Sequence, residues 1–327
     1  MKVLITGGAG FLGQLLATRL LDRGFLINKI GVAEPLSELI LFDLIPANDF
    51  GDPRVRVITG NISDLSTIQQ LLSKEVTSIF HLAAIVSGQA EEDFDLGMSI
   101  NLDASRHLLD VCRSLGHVPK VVFTSSVAVY GGVLPELVLD STALNPKSSY
   151  GAQKAMAELL LNDYSRKGYV DGRVLRLPTI TVRPGKPNQA ASSFVSGIIR
   201  EPLNGMASIC PVQSSLRIWV SSPDRAVESF IHGHDLPIEE IANNRTINLP
   251  GVSVTVNEMM SALEEVSGKE VVDLITVKPI EIIERIVKSW PGAWDDTRAK
   301  KLGFKGDAHF VEIVQNYISA HLHSFTK

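Results

Sequence analysis

The sequence predicts an α/β protein built on a doubly wound parallel (Rossmann) sheet, followed by a smaller C-terminal domain. Three observations carry this expectation. Short, near-continuously apolar runs alternate with segments of helical period over the first 180 residues. The first run ends in a glycine-rich turn that opens a helix. Beyond Pro178 the alternation breaks down. Strands that are apolar throughout, rather than at every second position, belong to parallel sheets covered on both faces.

Lys2 to Thr6 is β-branched and apolar, too short for a helix and ended by glycines, so it reads as the first strand. Phe11, Leu12, Leu15, Leu16 and Leu20 then recur at helical spacing, with Gly24 as a stop. Leu39 to Phe42 reads as a second strand ending at Asp43, and Val55 to Thr59 as a third, before a helix that Asp64 or Ser66 could cap. Strands at Ser78 to Leu82 and Lys120 to Thr124 flank a long helix from Asn101 to Leu115. A helix from Tyr150 to Tyr164 and a strand from Arg173 to Leu177 complete the alternation. Residues 183–223, rich in Pro, Ser, Gly and Asn, read as irregular with one helix near Ser193 to Ile199. A strand (Arg245 to Leu249) and helices near 257–267, 279–288 and 308–321 follow. Residues 1–180 are therefore expected to form the dinucleotide-binding domain. Residues 181–327 should form mainly a substrate domain, with some segments returning to the first.

A net charge of −5 and the lack of any Lys/Arg run argue against nucleic-acid and membrane-surface partners. The start, MKVLITGGAGFLG, has an apolar run leading into a glycine turn rather than a cleavage site, and no stretch reaches the length of a membrane span. A cytoplasmic location is expected. Cys112 and Cys210 read as buried small side chains, not a disulfide framework. The pairs His232/His234 and His321/His323 lack the spacing of a ligand set, and His81 reads as a strand-end residue, so no metal is expected.

Gly8-Ala-Gly10-Phe11-Leu12-Gly13 is a GxGxxG motif sitting between the first strand and the first helix. Glycine there allows a sharp turn, close approach of backbone to a pyrophosphate, and tight helix–strand packing. The helix N-terminus offers unpaired N–H groups to the phosphates. Asp43 ends the second strand, where a carboxylate accepts hydrogen bonds from ribose hydroxyls and repels a 2′-phosphate, which favours NAD over NADP. The spacing from loop to Asp43 is long, consistent with an inserted stretch around Gly31 to Glu38.

Tyr150 and Lys154 stand at i and i+4 and so share a helix face. A phenol is a poor base in water, and a nearby ammonium favours its phenolate. Upstream, VFTSSVAVYG (122–131) sets hydroxyls at the C-terminal end of a strand, the edge that faces the ligand crevice of a parallel sheet.

Together these pieces resemble the NAD-dependent epimerase/dehydratase family, the extended short-chain dehydrogenases/reductases. TGGAGFLG, GNISD (60–64), HLAA (81–84), Asn101, VFTSSVAVYG and YGAQK follow the family's order over most of the first 180 residues. The resemblance implies that Gly7, Gly10, Phe11, Leu12 and Gly13 bind the pyrophosphate and Asp43 the adenosine ribose. It implies that Asn61 and Ile62 flank adenine, although the family more often has Asp where Asn61 stands. Ala83, Ala84 and Asn101 would pass close to the cofactor. Ser126 would hold the reacting oxygen, Tyr150 would be the acid/base, and Lys154 would hold the nicotinamide ribose while lowering the tyrosine pKa. Pro178, Thr179 and the residues to Thr181 would run beside the nicotinamide. The family also implies a homodimer formed by helices flanking the sheet, among them the helix carrying Tyr150.

Arg183 begins just beyond that segment, placed to meet an anionic group, and the Asn, Gln and Ser residues that follow suit a polyol. With WPGAWDDTRAKKLGF (290–304), this second half resembles a branch of the family that oxidises the C2 hydroxyl of a four-carbon sugar acid. The runner-up is a nucleotide-sugar epimerase that recycles its NAD internally. The dehydratase variant lacks its acidic pair, since Val127 and Ala128 occupy that neighbourhood. A third reading, a non-catalytic NAD-sensing regulator, sits badly with an intact Tyr150 and Lys154.

Overall fold

The computed structural model describes residues 1–241 and 244–322; His323 of the second histidine pair lies outside the described residues. Seven strands form the central sheet: β1 (Lys2–Thr6), β2 (Glu38–Asp43), β3 (Val55–Thr59), β4 (Val76–His81), β5 (Lys120–Ser126), β6 (Asp171–Leu177) and β7 (Thr246–Asn248). All neighbours are parallel. Their order is β7-β6-β5-β4-β1-β2-β3, so the winding reverses between β1 and β4. That reversal leaves a crevice at the carboxyl ends of β1 and β4, where ligands bind in such sheets. The inner strands are buried almost throughout, while the edge strand β3 exposes Arg56 and Val57.

The main helices are α1 (Phe11–Arg23), α2 (Leu65–Leu71), α3 (Ala104–Leu115), α4 (Ser149–Arg166), α5 (Ser193–Leu203), α6 (Pro223–Asp235), α7 (Val256–Ser267), α8 (Glu281–Lys288) and α9 (Phe310–His321). On one face of the sheet, Leu16 and Leu20 of α1 join Val227 and Phe230 of α6 over Val3, Ile5 and Leu175. On the other, Ile68, Leu108 and Leu161 of α2, α3 and α4 cover Leu4, Ile40 and Val121. A third core, around Val195, Trp219, Leu263, Trp294 and Phe310, holds the second half together.

Several local features depart from the sequence expectations. The insertion before β2 starts earlier than Gly31. It is a hairpin of Phe25–Ile27 with Ala33–Pro35, turning through Gly31 at φ 76°. Asp64 is the N-cap of α2 but makes no side-chain capping bond. A π-helical turn, Met98–Asp103, precedes α3. Residues 183–223 contain strands as well as a helix. Arg217–Ser221 pairs with Val252–Thr255 and with Thr179–Ile180, and Ser208–Cys210 pairs with Ile275–Val277. Helix α6 was not anticipated, because charges and histidines interrupt its apolar positions. Its start signal was present, since Ser222 accepts the Arg225 N–H at 3.3 Å and Pro223 follows in the first turn.

The C-terminal end of α6 is fixed under the sheet by buried cations. Its last carbonyls have no intrahelical donor. Arg173 Nε donates to Gly233 O at 3.0 Å, Arg173 Nη2 to Leu236 O at 2.9 Å, and Lys120 Nζ to His234 O at 2.9 Å. His234 is fully buried, with Nδ1 2.9 Å from Asp235 Oδ1 and Nε2 2.8 Å from Ser78 Oγ. Burial pulls its pKa down to about 4, and burial likewise pulls His81, at the end of β4, down to about 3.

Both histidines are therefore neutral in the fold and titrate near 6.5 once unfolded. Between those limits the unfolded chain binds more protons, so stability is full above pH 6.5 and falls as the pH drops toward 4. We expect urea midpoints to fall between pH 6.5 and 5, with each histidine contributing up to about 1.4 kcal/mol per pH unit. A flat profile over that interval would show that neither ring is held neutral.

Candidate active site

At the end of β1 the chain turns through Gly7 at φ 73°, and Gly8 N–H donates to Phe42 O at 3.0 Å. The loop, helix and sheet here meet backbone to backbone. A Cβ on Gly13 would lie 2.2 Å from Gly7 O, and one on Gly7 2.8 Å from Ala83 N. Helix α1 has no capping side chain and no acidic residue in its first turn, so its leading N–H groups and partial positive charge are left for an anion. Asp43 closes the adjacent strand end, accepting Ala9 N–H at 3.0 Å and Leu44 N–H at 2.7 Å. This cradle, too tight for any side chain and open to negative charge, fits the diphosphate of a dinucleotide.

Two buried polar groups stabilise the segment leaving β4. His81 Nδ1 lies 2.7 Å from Thr6 Oγ1, and its Nε2 lies 3.0 Å from Ser105 Oγ. Asn101 holds both backbone groups of Ile85: its Oδ1 accepts from Ile85 N at 3.0 Å and its Nδ2 donates to Ile85 O at 3.3 Å. The same Nδ2 donates to Gln153 Oε1 at 2.8 Å. Gln153, the fourth residue of YGAQK, had not been singled out from the sequence. It ties α4 to the π-helical turn before α3.

Helix α4 carries Tyr150, Lys154 and Glu158 one turn apart on one face. Its start is capped by Ser148, whose Oγ accepts Gly151 N–H at 3.2 Å. Glycine at 151 is required by close approach, because a Cβ there would lie 2.1 Å from Ala128 O in the turn after β5. That contact brings Tyr150 to Ser126, which hydrogen-bond. Lys154 Nζ donates to Thr124 O at 2.9 Å and sits 4.7 Å over the Phe123 ring.

Burial pushes the Tyr150 phenol up to about 12, opposed by the Ser126 hydrogen bond and the Arg183 charge. Burial pulls Lys154 down to about 7, opposed by the Glu158 carboxylate. Arg183 is thus one cation that favours the phenolate, and Lys154 Nζ lies 5.8 Å from the Tyr150 ring centroid.

Behind the pair lies a buried polar network. Glu158 accepts the Ser125 hydroxyl and both Arg176 Nε at 2.9 Å and Arg176 Nη2 at 2.7 Å. Arg176 Nη1 continues to Tyr130 Oη at 2.6 Å, and Tyr130 donates to Asn248 Oδ1 at 3.1 Å. Glu158 and Arg176 are a fork-to-fork pair that satisfies two buried charges at once.

Gly7, Gly10, Phe11, Leu12, Gly13, Ala84, Ser126, Tyr150, Lys154, Pro178, Thr179 and Arg183 line a single cleft of about 390 Å³. Asp43, Asn61, Ile62, Ala83 and Asn101 do not line it. Ile62 is buried in the core with Phe42 and Ile68, and Asn61 Oδ1 accepts Ser63 N–H at 3.0 Å. Arg183 is half-buried, and its guanidinium has no acidic partner among the described residues. Neighbouring Arg200 is committed, donating to Arg183 O at 2.7 Å and pairing with Glu201 at 2.5 Å. The cleft also takes in Ser87 and Ser196, for which no motif exists, and Trp290, the first residue of WPGAWDDTRAKKLGF.

Comparison with known proteins places these features. Residues 3–235 match the model of the NAD dependent epimerase/dehydratase family. A D-erythronate dehydrogenase of Cupriavidus necator is 56% identical over 318 residues, covering 97% of this chain and 98% of that relative. One from Haemophilus influenzae is 50% identical over 319 residues, covering 97% of this chain and 99% of that relative. A crystal structure described as a nucleoside-diphosphate-sugar epimerase from Agrobacterium tumefaciens superposes with a TM-score of 0.92 at 42% identity, covering 98% of this chain and 94% of that one.

Because Gly13 has no room for a methyl group, we expect Gly13→Ala to weaken NAD binding by about tenfold or more and to cost the fold about 1–3 kcal/mol. Calorimetric titration with NAD and a thermal melt check the two effects separately. Unchanged NAD affinity would mean that the loop does not hold the diphosphate.

Proposed function

Since this chain belongs to the NAD dependent epimerase/dehydratase family, we propose that it is a D-erythronate dehydrogenase, oxidising the C2 hydroxyl of the four-carbon acid to 2-oxo-tetronate. The observation that carries the substrate class is Arg183, a guanidinium with no acidic partner among the described residues, in the same cleft as Tyr150. A carboxylate takes that fork bidentately, which would set the neighbouring C2 hydroxyl beside Tyr150 and Ser126. The full-length identity to relatives named for this activity supports the same reading.

NAD would rest with its diphosphate on Gly7, Gly10, Phe11, Leu12 and Gly13, its adenosine ribose at Asp43, its adenine by Asn61 and the backbone of Ile62, and its nicotinamide by Ala83, Ala84, Pro178 and Thr179. In this arrangement Asn101 acts indirectly, by fixing Ile85. NAD supplies one thing, acceptance of the hydride from C2. The Tyr150 phenolate takes the hydroxyl proton, Ser126 steadies the oxygen by hydrogen bonding, and Arg183 holds the carboxylate. Lys154 would hold the nicotinamide ribose through Nζ, whose charge burial disfavours and the Glu158 carboxylate favours.

The sugar-epimerase alternative shares Ser126, Tyr150 and Lys154, and the Agrobacterium tumefaciens neighbour bears that name. It differs in outcome, because an epimerase returns its hydride and releases no NADH. The division of labour we infer is NAD binding by residues 1–180 and substrate binding mainly by 181–327. We also infer a cytoplasmic location and a homodimer through the outer face of α4, where Met156 and Leu159 are exposed with Phe94 nearby in sequence to α3. Among the described residues no helix is long and apolar enough to cross a membrane.

With D-erythronate and NAD, absorbance at 340 nm should rise, and Tyr150→Phe should abolish the rise. Tight NAD binding with no NADH from any sugar acid would sink the dehydrogenase reading. The rate should climb with pH above 7, because the phenol starts protonated and its phenolate fraction grows about tenfold per unit below its pKa. Arg183→Gln should raise KM by about tenfold or more, through loss of a charge-assisted pair, and move the alkaline limb to higher pH. An unchanged KM in that variant would remove Arg183 from substrate binding.

A further inference from the structure

Beyond Arg200, one described residue lines the cleft, and it is Trp290. It follows α8 in a segment held from several sides. Trp290 N–H donates to Val287 O at 3.1 Å, Ser253 Oγ donates to Gly292 O at 2.7 Å, and Asp295 N–H donates to Val138 O at 2.7 Å. Trp294, four residues on, donates its indole N–H to Leu249 O at 2.8 Å. Trp290 is therefore presented to the cleft by fixed backbone, and only 9% of its surface is exposed.

The two indoles differ in one respect. That of Trp294 is satisfied, whereas Trp290 Nε1 is buried with no acceptor among the described residues. A buried donor left without a partner is destabilising, so a ligand hydroxyl that meets it gains by doing so. The ring is uncharged and large, and an indole donates but does not accept. If Arg183 takes the carboxylate, as proposed above, this uncharged ring is a wall suited to the hydroxylated end of a polyol acid.

We propose that Trp290 is a specificity-determining residue that ends the substrate cleft, limiting how many carbons fit beyond the reacting one and donating its indole N–H to a distal hydroxyl. The ring covers the C–H face of the acid, and a longer chain would have to displace it. This rests on the sugar-acid reading above, and it adds a residue from the last third of the chain, which otherwise contributes nothing to the cleft among the described residues.

The test compares four-, five- and six-carbon sugar acids by NADH formation in wild type, Trp290→Ala and Trp290→Phe, with NAD affinity measured in each. In Trp290→Ala the kcat/KM ratio of five-carbon to four-carbon acid should rise about tenfold, the discrimination one carbon commonly carries. Trp290→Phe keeps a ring without the N–H, so its chain-length ratio should hold while KM for the four-carbon acid rises about tenfold. NAD affinity should stay at the wild-type value in both, which a general structural fault would not allow. If Trp290→Ala fails to fold, Trp290→Leu is read in its place for the same change in ratio. A ratio that does not move in a folded variant overturns the wall, and an unchanged KM in Trp290→Phe overturns the N–H contact. Wild type that makes no NADH from any acid removes the functional reading and this inference together. Wild type that turns over while the variants keep its ratio removes this inference alone.

Discussion

An ammonium group taken out of water is the constraint around which this molecule is arranged. Lys154 is 1% exposed. Its surroundings must supply what water would, and they do so with the Thr124 carbonyl, the Phe123 ring and the field of Glu158. Leaving a buried charge without such partners would cost several kcal/mol. Glu158 is itself buried, so it needs Arg176, and Arg176 in turn reaches Tyr130 and Asn248. The chain of obligations runs from α4 through β6 to β7, and it fixes the strand ends from which Thr124 and Ser126 project.

That arrangement explains why the resemblance pointed to Tyr150 and Lys154 but not to the groups that support them. Tyr150 and Lys154 were legible because an i, i+4 spacing and an upstream run of hydroxyls are local patterns. Glu158 lies on the same helix face and was overlooked, since a carboxylate in a helix ordinarily faces water. Only its long-range partner Arg176 gives it meaning, and no local pattern links residues of different elements. Gln153 was hidden in the same way, buried against Asn101 of another helix.

The fold was legible to the same degree, and for the same reason. Strands buried on both faces announce themselves through continuous apolar runs, and the Gly24 stop of α1 is a left-handed cap at φ 74°. Three-residue strands such as Ser208–Cys210 are shorter than any period can reveal. Helix α6 has its apolar stripe at Ala226, Val227 and Phe230, interleaved with Asp224, Arg225 and Glu228. Its place against the sheet is decided by Arg173 and Lys120, cations that composition alone would put on the surface.

The late arrival of β7 has a consequence for synthesis. Strand β6 is complete at Leu177, yet its edge partner begins at Thr246, and helix α6, which packs over Leu175 on one face, spans Pro223–Asp235. While the ribosome makes the intervening stretch, β6 presents an open edge and an uncovered apolar face, features that invite association with other chains. The nascent N-terminal part is thus an unfinished sheet, closed only when Thr246–Asn248 has emerged. Completing the sheet requires a non-local pairing, which forms slowly compared with local contacts, a kinetic demand that the finished enzyme no longer displays.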